Sequence, residues 1–216
     1  MSNSLVLLDE SGDLGWKFDQ PYGAGGSSRY FTLAAAVGTN GAHRKFGAVV
    51  KKLAKQQNWS GKKEKKWQDL GSQVRKNFAH LTVEMVRSNS DLHLLVAVID
   101  KRKVPTNIHG HHHLVYSWLA ASLLAPSLRT FRHASICPDE LNSGSDSLLE
   151  NVLRKEIWFN LRSQTKIERI QRSEPLEGGL SFCDYLAGTF QSHFEFTDSE
   201  PYKVLREAAY LHMPWA

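Results

Sequence analysis

Leu5-Val6-Leu7-Leu8-Asp9-Glu10-Ser11-Gly12-Asp13 is an apolar run that stops abruptly on carboxylates. Four consecutive aliphatic residues suit a strand buried on both faces, in the middle of a sheet with helices packed on it. A carboxylate at the end of such a strand is out of place. An isolated carboxylate leaving water costs several kcal/mol even after relaxation, so Asp9 is expected to be protonated, paired or bound to a cation.

Working outward, glycines 12, 15, 23, 25 and 26 surround Pro21 and make a long loop that could cover the strand end. The aromatic and small residues of 29–38 read as a second strand, able to pair antiparallel with the first. Residues 41–58 have Phe46, Val49, Val50 and Leu53 on one helical face and lysines on the other, and 69–87 repeat the pattern with Val74, Phe78, Leu81 and Met85. A second doubly apolar strand, 92–99, is closed by Pro105.

The apolar helix 109–125 is expected to be interrupted at Pro126. The strand 134–140 again ends on adjacent acids, Asp139 and Glu140. An amphipathic helix (147–162), a short strand (166–172) and a last helix (180–194) led in by Gly178 and Gly179 complete the order. That order is an α/β domain with a mixed sheet, and 216 residues with 41% hydrophobic content suffice for one domain spanning the chain.

Composition narrows the function classes. No stretch approaches the roughly 18 apolar residues of a membrane span, and the short N-terminal apolar run lacks the form of a signal peptide, so a cytoplasmic protein is expected. Cys137 and Cys183 have neither disulfide-framework nor zinc-ligand spacing, and two reduced, buried thiols are expected. The net charge of +5 is uneven: 41–80 holds eleven Lys or Arg against Glu64 and Asp69, leaving the remainder of the chain negative. Basic charge gathered in one segment points to a polyanion, with nucleic acid, DNA or RNA, the commonest choice. A solvated lysine-rich helix face is the bland alternative.

On the last helix, Leu180, Cys183, Ala187, Phe190 and Phe194 form one apolar stripe, with Asp184 beside it and Ala187 and Gly188 one turn on. Asp9 and Asp139 stand at strand ends, where open α/β sheets place ligand sites. Carboxylates converging from separate segments repel one another unless a cation lies between them, and all-oxygen ligands favour Mg²⁺ or Mn²⁺ over zinc. Such ions generate hydroxide and stabilise both the attacking and leaving oxygens of a phosphodiester. A metal-dependent nuclease, a hydrolase, is the function these features indicate. Because neighbouring strand residues face opposite ways, Asp9 is preferred to Glu10 as a ligand; Glu10 is left as an outer partner or a ligand of a second ion, and Asp13 as a turn residue. Asp139 is preferred to Glu140 on the same ground.

Asp9-Glu10-Ser11-Gly12, Glu64-Lys65-Lys66-Trp67, Asp139-Glu140 and Asp184 with Ala187-Gly188, in that order, resemble the domain of unknown function 3800 family of bacteria, phages and mobile elements. The resemblance spans almost the whole chain. It implies a ribonuclease-H-like fold with a mixed central β-sheet flanked by α-helices, metal ligands at Asp9, Asp139 and Asp184, and Glu64 as a conditional fourth acid. Lys63, Lys65, Lys66 and Trp67 are then the expected substrate contacts.

Two other classes share some of these features. A haloacid-dehalogenase-like phosphatase also begins with a strand ending in Asp, but needs a second Asp where this chain has Ser11. A non-catalytic nucleic-acid-binding module would grip by lysines and by exposed tryptophans such as Trp59 and Trp67, and leaves the acids unexplained. His109-Gly110-His111-His112-His113 reads best as the solvated first turn of a helix; transition-metal binding or general-acid chemistry is the alternative.

Overall fold

The computed structural model describes residues 2–39, 41–59, 65–139 and 146–215. The mixed α/β architecture expected from the sequence is present: a six-stranded sheet ordered β5-β4-β1-β2-β3-β6 with helices on both faces. The strands are β1 (Asn3–Ser11), β2 (Tyr30–Thr39), β3 (His93–Asp100), β4 (His133–Pro138), β5 (Lys166–Arg169) and β6 (Ala209–His212). β1, β2 and β3 form an antiparallel meander, β4 joins β1 parallel, and β5 and β6 extend the two edges in parallel. A mixed central β-sheet flanked by α-helices is what the family resemblance implies.

Alternation along β1 divides the core. Leu5 and Leu7 face one layer, made by α1 (Ala42–Gln56), α2 (Ser72–Arg87) and α5 (Glu174–Phe196). Val6 and Leu8 face the other, made by α3 (His112–Leu128) and α4 (Asp146–Lys155). All four side chains are buried, which is why the run shows no polar alternation. Cys137 and Cys183 are free and buried, as expected.

Three expectations are corrected. α3 passes through Pro126 and ends at Leu128. Proline there falls in the last turn, where a missing N–H removes a single helical bond. α5 begins six residues earlier than its apolar stripe, at Glu174, with Pro175 in its first turn, so Gly178 and Gly179 lie inside the helix. They mark close approaches: a Cβ on Gly179 would stand 2.3 Å from Leu7 Cδ1, and one on Gly178 3.2 Å from Gly47 Cα of α1. Finally, a short helix α6 (Glu200–Leu205) and β6 follow α5, where no element was expected. Among the described residues no helix is long and apolar enough to cross a membrane.

Candidate active site

The acidic end of β1 is built by register. Asp9 pairs with Ala34 on β2, while Leu8 lies opposite Pro138 on β4. The Asp139 N–H donates to the Leu8 carbonyl at 2.8 Å, which sets Asp139 beside Asp9 at the C-terminal ends of two parallel strands. α5 crosses the same strand, with the Cys183 thiol donating to the Leu7 carbonyl at 3.3 Å. That contact delivers Asp184 to the Asp9 side of the sheet.

The strand does not end at Asp9 but runs through Ser11. Asp9 therefore shares the face of Leu5 and Leu7, and Glu10 turns to the opposite face, where Tyr116 of α3 lies. Gly12 then turns the chain at φ +87°, where a Cβ would stand 2.6 Å from the Tyr30 carbonyl. Only glycine fits this exit from the strand.

The electrostatics of the acids are unfavourable as they stand. Burial, then the charges of Glu10, Asp139 and Asp184, push Asp9 up to about 8, against a lowering hydrogen bond from the Glu10 N–H. Burial and Asp139 push Glu10 up to about 7, with Lys66 working the other way. Two carboxyls that titrate near neutrality on adjacent residues are the mark of a site short of positive charge.

Part of that charge comes from the protein. Arg172, between β5 and α5, donates to Asp139 Oδ1 at 2.6 Å, and Lys66 Nζ lies 3.5 Å from Asp139 Oδ2. Lys66 is carried there by a segment pinned to α5. The Trp67 N–H donates to Asp184 Oδ2 at 2.8 Å, and the Tyr185 hydroxyl donates to the Lys65 carbonyl at 2.8 Å. The Trp67 indole N–H donates to Ser192 Oγ at 2.7 Å. The ring sits over Gly188, where a Cβ would stand 2.1 Å from Trp67 Cγ, and Arg75 stacks on it at 4.7 Å.

The structure thus brings together Asp9, Glu10, Asp139, Asp184 and Lys66 of the expected set. Glu64, Lys63 and Glu140 lie outside the described residues. Trp67 is corrected: it is 6% exposed, a core anchor and not a stacking surface. Lys65 contributes its carbonyl as the acceptor for Tyr185. The basic segment is partly consumed by structure, since Lys45 pairs with Asp91, Arg75 with Asp198 and Lys76 with Glu200. Arg172 went unread in the sequence, where nothing but its position after a short strand marks it.

The chemistry of the donor set, carboxylate oxygens only, suits a hard divalent cation. In the conformation described, Asp139 is taken up by Arg172 and Lys66, and among the described residues no three His, Cys, Asp or Glu side chains are gathered closely enough to hold an ion.

Beside the site, the glycine-rich loop is fixed and does not hang free. Lys101, fully buried, donates to the Asp13 and Gly15 carbonyls at 2.7 and 2.8 Å and to Asp13 Oδ1 at 3.3 Å. Asp13 also accepts from the N–H groups of Gly15 and Ser28, confirming it as a turn residue. Burial works to raise its carboxyl, but Ser28 and Lys101 outweigh that and hold it below the usual range. Trp16 stacks on His109 at 3.9 Å and donates to His112 Nδ1 at 3.2 Å, so two histidines of the cluster anchor the loop.

No family model and no curated protein matches the chain. Among solved structures, the chain is similar in layout to the ribonuclease H2 from Pyrococcus horikoshii OT3, with a TM-score of 0.49 and 11% identity over 96% of this chain and 80% of that one.

Proposed function

We propose that the protein is a metal-dependent nuclease hydrolysing phosphodiester bonds of nucleic acid, with Asp9, Asp139 and Asp184 holding Mg²⁺ or Mn²⁺. The observation that carries this reading is the gathering of Asp9, buried at the end of β1, with Asp139 at the end of β4 and Asp184 on α5, a crowding of carboxylates that pushes Asp9 up to about 8. A fold tolerates such an arrangement when an ion of opposite charge completes it.

A divalent cation at this place supplies a low-pKa water and a counter-charge for the phosphate. The chain's own residues do the rest. Asp9 is rigid, because β1 is central and its Oδ1 accepts the 2.8 Å bond from the Glu10 N–H. Asp139, held by Arg172 and Lys66, would be the second residue to hold the ion, and those two cations would then be free to contact phosphate oxygens. Asp184 is oriented by the Trp67 N–H. Glu10 turns to the other face of β1, toward Tyr116, and is an outer partner of the site. The acids also explain why a simple binding module is the poorer reading: carboxylates repel phosphate unless a cation intervenes.

The test is cleavage of end-labelled RNA and DNA strands with Mn²⁺. The parent is expected to cleave and EDTA to abolish cleavage, with Asp9→Asn and Asp184→Asn slower by more than about 100-fold while still binding. Variants that cleave as fast as the parent would remove the catalytic assignment. Salt-sensitive binding with no turnover in any metal would favour the binding module.

A further inference from the structure

At the opposite end of the same strands lies a cavity of about 770 Å³. Arg129 and Arg132 line it from the turn that joins α3 to β4, and Arg162 and Lys166 from the turn that enters β5. All four side chains are exposed, and among the described residues none of them forms an ion pair. The neighbouring carboxylate, Glu168, is taken by His133 at 3.1 Å.

The cavity is shaped by specific bonds. Thr165 Oγ1 donates to the Leu128 and Phe131 carbonyls at 3.2 and 2.9 Å, and Ser163 Oγ to the Arg129 carbonyl at 2.9 Å, tying the two turns together. Lys166 N–H donates to the Arg132 carbonyl at 3.0 Å. Between these ties, Arg162 is held at φ 52°, a left-handed conformation that an arginine adopts only at a cost. It directly follows a π-helical turn, Glu156–Asn160, and Leu161. Four cations with no carboxylate partner among the described residues, converging on one concavity from two cross-tied turns, are complementary to a run of phosphates.

We propose that this cavity binds the phosphate backbone of a nucleic-acid strand at a distance from the acidic site. β4 runs from His133 beside the cavity to Pro138 beside Asp139, which sets the two ends roughly 17 Å apart at about 3.3 Å per residue. A strand reaching both would be held at one end and cut at the other. The proposal takes the identity of the polyanion from the nuclease reading, but it does not depend on turnover.

Binding of a fluorescein-labelled 20-nucleotide strand, as RNA and as DNA, is measured by anisotropy in EDTA across a salt series. The double variant Arg132→Ala/Arg162→Gly is expected to bind about tenfold more weakly at 0.1 M salt, with a log–log salt slope shallower by about 1.5. Arg162→Gly alone is expected to weaken binding with a Tm no lower than the parent's, because glycine accepts the left-handed backbone; the loss then reflects charge, not unfolding. Affinity and slope within twofold of the parent for the double variant would overturn the proposal. So would inorganic phosphate binding that the double variant loses while strand affinity is unchanged, which would make the cavity a small-anion site. Asp9→Asn should bind the strand in EDTA at least as tightly as the parent, so that loss of cleavage and loss of this contact are separate failures.

Discussion

The two ends of the central sheet carry opposite charge in opposite circumstances. At the C-terminal ends of β1 and β4 Asp9 is buried and the acids around it half-buried, they crowd one another, and two of them are pushed toward neutral pH. At the N-terminal ends, Arg129, Arg132, Arg162 and Lys166 stand in water around a cavity. Exposed cations cost the fold little, so their grouping carries weight only as a surface complementary to phosphate. Buried carboxylates oppose folding, so their presence demands a counter-charge and a chemical use. One end is therefore read for chemistry and the other for grip.

If the acidic end is held by packing, its anchor should matter most to stability. Trp67→Ala removes a buried ring, its bond to Ser192 and the seat of Arg75, and is expected to cost about 3–5 kcal/mol in urea unfolding. A cost below about 1 kcal/mol would show that the 65–67 segment is not fixed by this ring.

The repulsion itself can be measured next. Asp9 and Glu10 have folded-state values near 8 and 7, above the ordinary 3.8 and 4.5. The folded state therefore keeps protons that the unfolded chain releases. Stability is fully present below about pH 4 and lost as pH rises toward 8. Asp9→Asn, neutral throughout, is expected to be on the order of a few kcal/mol more stable than the parent at pH 8 in EDTA, with the gap closing near pH 4. An equal gap at both pH values would show that the charge of Asp9 costs the fold nothing.

The basic end should respond least. Arg129→Ala and Lys166→Ala are exposed truncations and are expected to shift stability by no more than about 0.5 kcal/mol. Larger losses would make these side chains part of the scaffold and blur the contrast between the two ends.

Much of this was legible in the sequence. The apolar run closing on Asp9, the later strand closing on Asp139 and the acid beside the stripe of the last helix located three of the acids, because strand ends and helix faces follow from short-range periodicity. Glycine and proline misled. Gly178 and Gly179 resemble a turn in isolation, but their role, admitting Leu7 and Gly47 against α5, depends on residues more than 100 positions away. Trp67 lies in a run of charge, which by itself predicts exposure; only the gap over Gly188 on α5 shows that it is buried. Arg172 and the four cations of the basic cavity are scattered singly along the chain and converge only once the turns are tied. β6 is four residues of mixed character, and its pairing with β3 is set by tertiary context.

The central claim, that the acids at the end of β1 hold a divalent cation, is tested most directly by anomalous diffraction from crystals grown with Mn²⁺. The account predicts a peak in contact with the carboxylates of Asp9, Asp139 and Asp184, with Arg172 drawn away from Asp139. Saturating Mn²⁺ with no peak at these residues, and Asp139 still held by Arg172 and Lys66, would contradict it.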